Sequence, residues 1–398
     1  MNNHTNTSWG QRALRHARIL TESTPGRGSA TRLETQAAVY VHTQLREMGY
    51  DVQQQPFIGL RSIWFFLSLV FGLAMLGHLA GAFLASTLGD WPAWGVRALL
   101  FGFAFYLMWR KFAFQPVPLR ASLPQGSSLN VIAVAPAAQA PRRRVVINAH
   151  LDSHRAVIWF ASDILVQIYA FCTPLAIYGL LAAPLLYALR LWSGLPVFSW
   201  LGSALGVLHF LVWFTGLTAD LGAYSPGAND NASSLGVLLT LAERLRHEPL
   251  PETEVWLVAT GCEETGCDGM VTFLNHHAEA LQDAFFIDLE VTGIGDQMAY
   301  VAAEGVVQAQ RIAPDLAAYL QSLDVRPLSL AHIGAYTEMG VVWRRGLSGA
   351  CLMSKPSDTH LIPEWHRLTD TPDKLQPEAL QRIHDLVWRI LQAPPENA

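Results

Sequence analysis

The chain has 398 residues, of which 51% are apolar and only 15% charged, with a formal net charge of −5. That balance lacks the basic stripe of a nucleic-acid-binding protein, and its four cysteines are too few for a disulfide scaffold, so they read as reduced thiols in a cytosol-facing domain. So large an apolar share places part of the chain in lipid.

Met1–Gly10 is polar and has no apolar core of the signal-peptide kind, so no cleavable export signal is expected there. Residues 11–20 and 31–48 read as helices, the second with Ala38, Val41, Leu45 and Met48 on one face and Gly49 as its stop. Residues 50–57 (YDVQQQPF) read as a strand. From Ser62 to Gly89 no Asp, Glu, Lys or Arg occurs, a stretch longer than a membrane span needs. Trp91–Trp109 follows as a second span, interrupted only by Arg97, with Asp90, Trp91 and Pro92 as the turn between the two. Residues 129–135 and 144–149 then read as buried strands, the latter ending in His150. Residues 164–189 and 195–218 form a second uncharged pair, and Pro174 and Pro184 are expected to kink the first of them.

Beyond this block helix and strand alternate. Residues 235–245, 269–280, 314–323 and 377–391 carry helical periodicity; residues 254–260, 284–289 and 350–353 read as strands. The expectation is an α/β domain with a mixed sheet flanked by helices, assembled from residues 11–60, 115–155 and 220–395. Into it are inserted two transmembrane hairpins, residues 61–112 and 157–219. If His150 and Asp230 serve one site, the chain between them crosses the bilayer an even number of times, so four spans are expected. Arg61, Arg110, Lys111, Arg120 and Arg155 flank the spans on the domain side, against Asp90 and Arg190 in the turns, which puts the domain in the cytoplasm at the inner membrane of a bacterium.

The chemistry gathers around Asp230, set in SPGANDNASSLG (residues 225–236) just before a helical run, where a loop carboxylate can point both oxygens at cations. HLD (150–152), EE (263–264), DLE (288–290) and WH (365–366) end or follow other strand-like runs. Amide hydrolysis near neutral pH calls for an activated water, a Lewis acid and a proton shuttle, which two metals about 3.5–4 Å apart and a nearby carboxylate supply. In this set His150 offers an imidazole that Asp152, two residues on, can orient. Asp230 bridges, Glu264 and His366 serve one metal, Glu290 completes the other, and Glu263 is left as the general base.

HLDS at 150–153, PGANDNAS at 226–233, EETG at 263–266 and WHRLTDTPDKL at 365–375 resemble the di-zinc aminopeptidase family, which includes bacterial leucyl aminopeptidases, glutamate carboxypeptidase, an endoplasmic-reticulum membrane metallopeptidase and the glutaminyl cyclases. The resemblance spans the soluble part and leaves the two hairpins outside. It implies an aminopeptidase-like fold, two zinc ions per chain and a peptide substrate. One zinc would lie on His150, Asp230 and Glu290, the other on Asp230, Glu264 and His366, with Glu263 as base. Asp288 is the alternative to Glu290, and His360 in SDTH the alternative to His366. The activity implied is removal of N-terminal residues; a glutaminyl-peptide cyclotransferase and a non-catalytic membrane receptor or scaffold are the competing readings. His154 reads as a substrate contact or a surface histidine, His78 and His209 as residues facing neighbouring helices, and Cys262 and Cys267 as packing residues.

Overall fold

The computed structural model describes residues 7–393, and among them one mixed sheet of nine strands organises the fold. The helices α1 (Trp9–Ser23) and α2 (Arg32–Glu47) come first, capped by Ser8 and Thr31, whose side-chain oxygens accept backbone N–H groups of the first turn. They are followed by β1 (Val52–Leu60), α3 (Ile63–Leu88), α4 (Asp90–Phe112), β2 (Gln125–Ala135) and β3 (Arg143–His150). Next come α5 (Asp163–Ser193), α6 (Val197–Thr218), α7 (Ser233–His247), β4 (Thr253–Thr260), α8 (Asp268–His277) and β5 (Phe285–Leu289). The last stretch holds β6 (Gln297–Glu304), β7 (Gln310–Arg311), α9 (Pro314–Ser322), β8 (Arg326–Ser329), α10 (Met339–Arg344), β9 (Ser348–Lys355) and α11 (Pro377–Gln392).

The strand order is β1-β2-β4-β3-β5-β9-β6-β7, with β8 beside β6. β4, β3, β5 and β9 run parallel at the centre, and antiparallel pairs flank them on both sides. Parallel strands need cover on both faces. One face is packed by α1, α2, α7 and α11 through Ala17, Leu45, Leu238 and Ile383, the other by α8 and α10 through Phe273, Met270 and Val342. The strands expected from sequence are present, most of them longer, although β1 starts two residues later than expected and β5 one; β6, β7 and β8 are additional. The segment of β6, QMAYVAAE, is rich in alanine and poor in β-branched residues, so it carries little strand signal of its own.

The helices α3 to α6 pack on one another, with Phe71, Phe101, Leu107 and Leu180 buried between them. Among the described residues three helices are long and apolar enough to cross a membrane: Ile63–Gly81, Asp163–Ser193 and Val197–Leu221. Of the four expected spans, α4 does not meet that standard; its first half, DWPAWGVR, is the less apolar one. The turns are tighter than expected. Gly89 alone, at φ 85°, links α3 to α4, so Asp90–Pro92 is the first turn of a helix, and α5 continues through Arg190 to Ser193 before Gly194 caps it. Ion pairs tie this block to the sheet domain: the buried Lys111 of α4 lies 3.6 Å from Asp268 at the start of α8, which Arg120 also meets at 2.9 Å, and Asp163 of α5 pairs with Arg367.

Candidate metal centre

The site lies beyond the carboxyl ends of the central parallel strands, where backbone groups splay apart and side chains of neighbouring strands converge. Register does most of the placing. β3 and β5 pair Asn148 with Asp288, so His150 and Glu290, each two residues further on, stand side by side above them. β3 and β4 pair His150 with Thr260, so the chain leaving β4 brings Glu263 and Glu264 to the same edge. Asp230 arrives from the loop before α7, whose backbone leaves helical geometry at Asp230 and Asn231; the peptide between these two is cis. Gly227 opens the loop at φ 72°, and a Cβ there would lie 2.8 Å from both the Asp230 carbonyl oxygen and Ser153 Cβ.

All of the converging side chains are buried. Asp230 faces two ways: its Oδ1 lies 3.2 Å from His150 Nε2 and its Oδ2 3.4 Å from His366 Nε2. Each imidazole has a second carboxylate, Glu290 Oε2 at 3.4 Å for His150 and Glu264 Oε2 at 3.3 Å for His366. Ligand atoms of His150, Asp230 and Glu290 lie within 4.8 Å of one another, as do those of His150, Glu263 and Glu264, and of His154, Glu264 and His366. Asp288 sits one layer below, accepting from Asn148 Nδ2 at 2.6 Å and the Met339 amide at 3.3 Å. His360 is exposed in the loop after β9.

The electrostatics are those of too many acids in too dry a place. Burial first, and the Asp230 charge second, push Glu264 up to about 8; burial likewise pushes Glu290 up to about 8 and Glu263 well above the usual carboxylate range. Burial also holds His366 and His154 down to about 4. Each of the two imidazole Nε2 atoms faces two carboxylates, and one N–H cannot satisfy both. Glu264 Oε1 is buried with no hydrogen-bond partner. A buried donor set of imidazole nitrogens and carboxylate oxygens, in which the acids disfavour one another's charge, fits divalent cations such as zinc.

Several residues hold this set in place, and apart from Asp152 the sequence pattern did not single them out for that part. The Asp152 carboxylate does more than orient His150: it accepts the amides of Glu263 at 3.0 Å and Glu264 at 3.1 Å, fixing the acidic pair, while its Oδ1 lies 3.5 Å from His150 Nδ1. Asp370 accepts the amides of Asn229 at 2.7 Å and Asp230 at 3.1 Å, anchoring the bridging loop. Arg27, fully buried, donates to the carbonyls of Leu151 (2.7 Å), Pro226 (3.0 Å) and Gly227 (2.6 Å), joining the His150 and Asp230 segments. Glu34 accepts from the Cys262 amide at 2.8 Å. His154 is neither on the surface nor at the start of a helix: its ring stacks on that of His366 with centroids 3.8 Å apart. Arg367 next to His366 pairs with Asp163 at the start of α5 and donates to the Phe160 carbonyl, which fixes the histidine against the apolar helices. Cys262 and Cys267 are free and buried, as packing residues are.

Comparison with known proteins agrees with this geometry. Residues 214–391 match the family model described as Peptidase family M28, a span that contains every residue of the set except His150, Asp152 and His154. The chain is 26% identical over 181 residues to aminopeptidase YwaD of Bacillus subtilis (strain 168), a match covering 41% of this chain and 37% of that protein. The fold is similar to that of BSAP, a zinc aminopeptidase from Bacillus subtilis, with a TM-score of 0.52 at 15% identity over 95% of this chain and 93% of that one. It is similar also to a glutaminyl cyclase from Bacteroides thetaiotaomicron, with a TM-score of 0.54 at 13% identity over 97% of this chain and 98% of the other. The resemblance to the di-zinc aminopeptidase family therefore holds for both sequence and fold.

Proposed function

We propose that the protein is a membrane-embedded, zinc-dependent aminopeptidase that removes N-terminal residues from peptides. The observation that carries this reading is the two-way carboxylate of Asp230, each oxygen facing a different histidine that has its own further acid. The match to a peptidase family supports it. His150, Asp230 and Glu290 would hold one ion, and Asp230, Glu264 and His366 the other. Two zinc ions bound there supply Lewis acidity toward a carbonyl oxygen and acidify water.

The chain's own residues do the rest. Glu263 is buried beside the ligand set and belongs to neither imidazole–carboxylate pairing around Asp230. In this reading its carboxylate takes a proton from the attacking water and delivers it to the departing amine. Asp152 keeps Glu263 and Glu264 in place through their amides. Tyr336 lines the same cavity and donates to the Glu264 carbonyl across 3.5 Å, a long bond that its hydroxyl can exchange for one to a substrate carbonyl oxygen.

Residues 11–60, 115–155 and 220–395 form the catalytic domain in this proposal, on the cytoplasmic side, and residues 61–112 and 157–219 form two hairpins in the bilayer. Cysteines placed at the exposed Thr87 and Ser193 in a Cys172→Ser background test that arrangement. Both are expected to react with an impermeant thiol reagent from the side opposite the domain; reaction from the domain side rules the topology out. The activity is tested by mass spectrometry of a mixed peptide pool incubated with detergent-purified, zinc-loaded protein. Stepwise loss of N-terminal residues is expected. Loss of ammonia confined to peptides beginning with Gln would identify a cyclase instead, and an unchanged pool would leave a binding role.

A further inference from the structure

The cluster does not open directly onto a polar groove. It forms the inner end of a cavity with about 1250 Å³ of empty space, its open mouth included, whose other walls are the apolar helices and, from the sheet domain, Val306, Leu330, Tyr336, Met353 and Trp365. Three helical stripes converge on it: Ile63, Leu67 and Phe71 of α3; Tyr169, Cys172, Ala176 and Ile177 of α5; Leu208, Leu211, Val212 and Thr215 of α6. Their spacing of three and four is that of one helix face, so the cavity is a designed side of each helix rather than a local gap.

Apart from Trp64 Nε1, which is buried without a partner, the hydroxyl and indole donors on the helix walls are already engaged. Thr173 Oγ1 donates to the Tyr169 carbonyl and Thr215 Oγ1 to the Leu211 carbonyl, both at 2.8 Å, while Trp159 Nε1 donates to Thr215 Oγ1 at 3.1 Å. This lining decides what can occupy the space. An extended peptide would bring an amide N–H and a carbonyl with every residue, and each left unpaired here costs about 1–3 kcal/mol. An alkyl chain brings none. With metal-ligating carboxylates at one end and an apolar tube at the other, we infer that the substrate is a single-chain amphiphilic amide, its amide carbonyl at Glu263 and Asp230 and its alkyl chain in the cavity between α3, α5 and α6. This rests on the hydrolase reading above and names its substrate class. Hydrolysis adds water across the C–N bond: the acyl carbon gains oxygen, and nitrogen leaves with the proton that Glu263 delivers.

The test uses the full chain, zinc-loaded, in nanodiscs. Two substrate series are compared: alanine N-alkylamides from ethyl to octyl, which keep a free amine, and N-acylalanines from acetyl to octanoyl, which do not. In one series kcat/KM is expected to rise roughly fourfold for each methylene that the cavity takes from water, the factor corresponding to about 0.8 kcal/mol per buried CH2. The series that rises shows on which side of the amide the chain lies. Cys172→Trp fills the wall at that point, and the octyl-to-ethyl or octanoyl-to-acetyl ratio is expected to fall at least tenfold. A second measurement needs no turnover: Cys172 is the cysteine of the chain that is not buried, so the longer amides are expected to slow its alkylation by a maleimide and the shortest ones not. Flat kcat/KM in both series together with no protection of Cys172 overturns the inference and leaves a peptidase of short polar substrates. Protection that grows with chain length in an enzyme that cleaves neither series supports the alkyl site and overturns the hydrolase reading.

Discussion

Two clusters of polar side chains in this molecule, one half-buried between the apolar helices and one buried at the sheet edge, are built on opposite plans. Between the apolar helices, Tyr187 Oη meets His78 Nδ1 at 2.8 Å, His78 Nε2 meets His209 Nδ1 at 3.0 Å, and His209 Nε2 meets the Ala176 carbonyl at 3.0 Å. Read in one direction, each group donates to the next: hydroxyl to imidazole, imidazole to imidazole, imidazole to carbonyl. Neutral rings complete the chain. Arg97 joins by donating to the His78 carbonyl and lying over the Tyr187 ring, 4.0 Å from its centre, with its Nε unpartnered. At the sheet edge the charges are unbalanced: the acids Asp230, Glu263, Glu264 and Glu290 crowd the imidazoles and disfavour one another's ionisation, and Glu264 Oε1 is left without a partner. The rings of the first cluster satisfy one another as neutral groups, whereas the acids of the second call for added positive charge.

The sharpest way to break the comparison is at Asp230. Asp230→Ala removes the group that both halves of the site share, so bound zinc, measured by inductively coupled plasma mass spectrometry, is expected to fall from roughly two per chain toward none, with turnover at background. Retention of one ion with full activity would mean that the carboxylate does not bridge. Glu263→Gln separates chemistry from metal holding. It keeps the shape and removes the base, so the zinc content is expected to stay and kcat to fall by about 10²–10⁴. Loss of zinc in that variant would make Glu263 a ligand and reverse its role with Glu264.

The side chains that converge at the sheet edge were legible in the sequence because their residue types are odd where they stand: acids and a histidine directly after runs of buried strand, and an aspartate inside a glycine- and asparagine-rich loop. The supporting shell was not. Arg27 lies in PGRGS, which reads as a solvated turn, and only the tertiary fold shows that three carbonyls from two distant loops enclose it. His154 differs from a surface histidine only through its stack on His366, more than two hundred residues away. In the sheet, β5 announced itself with FFIDL, whereas the β6 segment QMAYVAAE has no alternation and no β-branched run, its strand state being imposed by pairing with β9 and β8. The helical hairpins were visible by length alone, but not their inner faces, since nearly every residue of α5 and α6 is apolar and periodicity vanishes when both sides are oily.

Asp370 tests whether the shell matters as the geometry says. Its carboxylate touches only the Asn229 and Asp230 amides of the bridging loop and the substrate cavity not at all. Asp370→Asn keeps its size and one acceptor oxygen, so a loss of metal affinity of about 10- to 100-fold is expected in chelator competition, the usual effect of an outer partner. Activity at saturating zinc is expected to recover. Unchanged affinity would show that the loop holds its shape without this anchor.

The smallest effect is expected in the other cluster, and it is the one that checks the contrast itself. His78→Phe cuts the chain between Tyr187 and His209 and leaves each with one lost partner. Hydrogen bonds between helices in lipid contribute about 0.6 kcal/mol on average and rarely more than about 1.7, because groups freed in a membrane protein find other partners. The variant is therefore expected to lose a few degrees in thermal unfolding in detergent, with zinc content and peptide turnover as in the parent. If zinc is lost instead, the two clusters are coupled through α5 and α6 and the helices do more than wall the cavity. If neither stability nor zinc changes, the chain of histidines is a by-product of packing, and Arg97 is held in α4 by the Tyr187 ring alone.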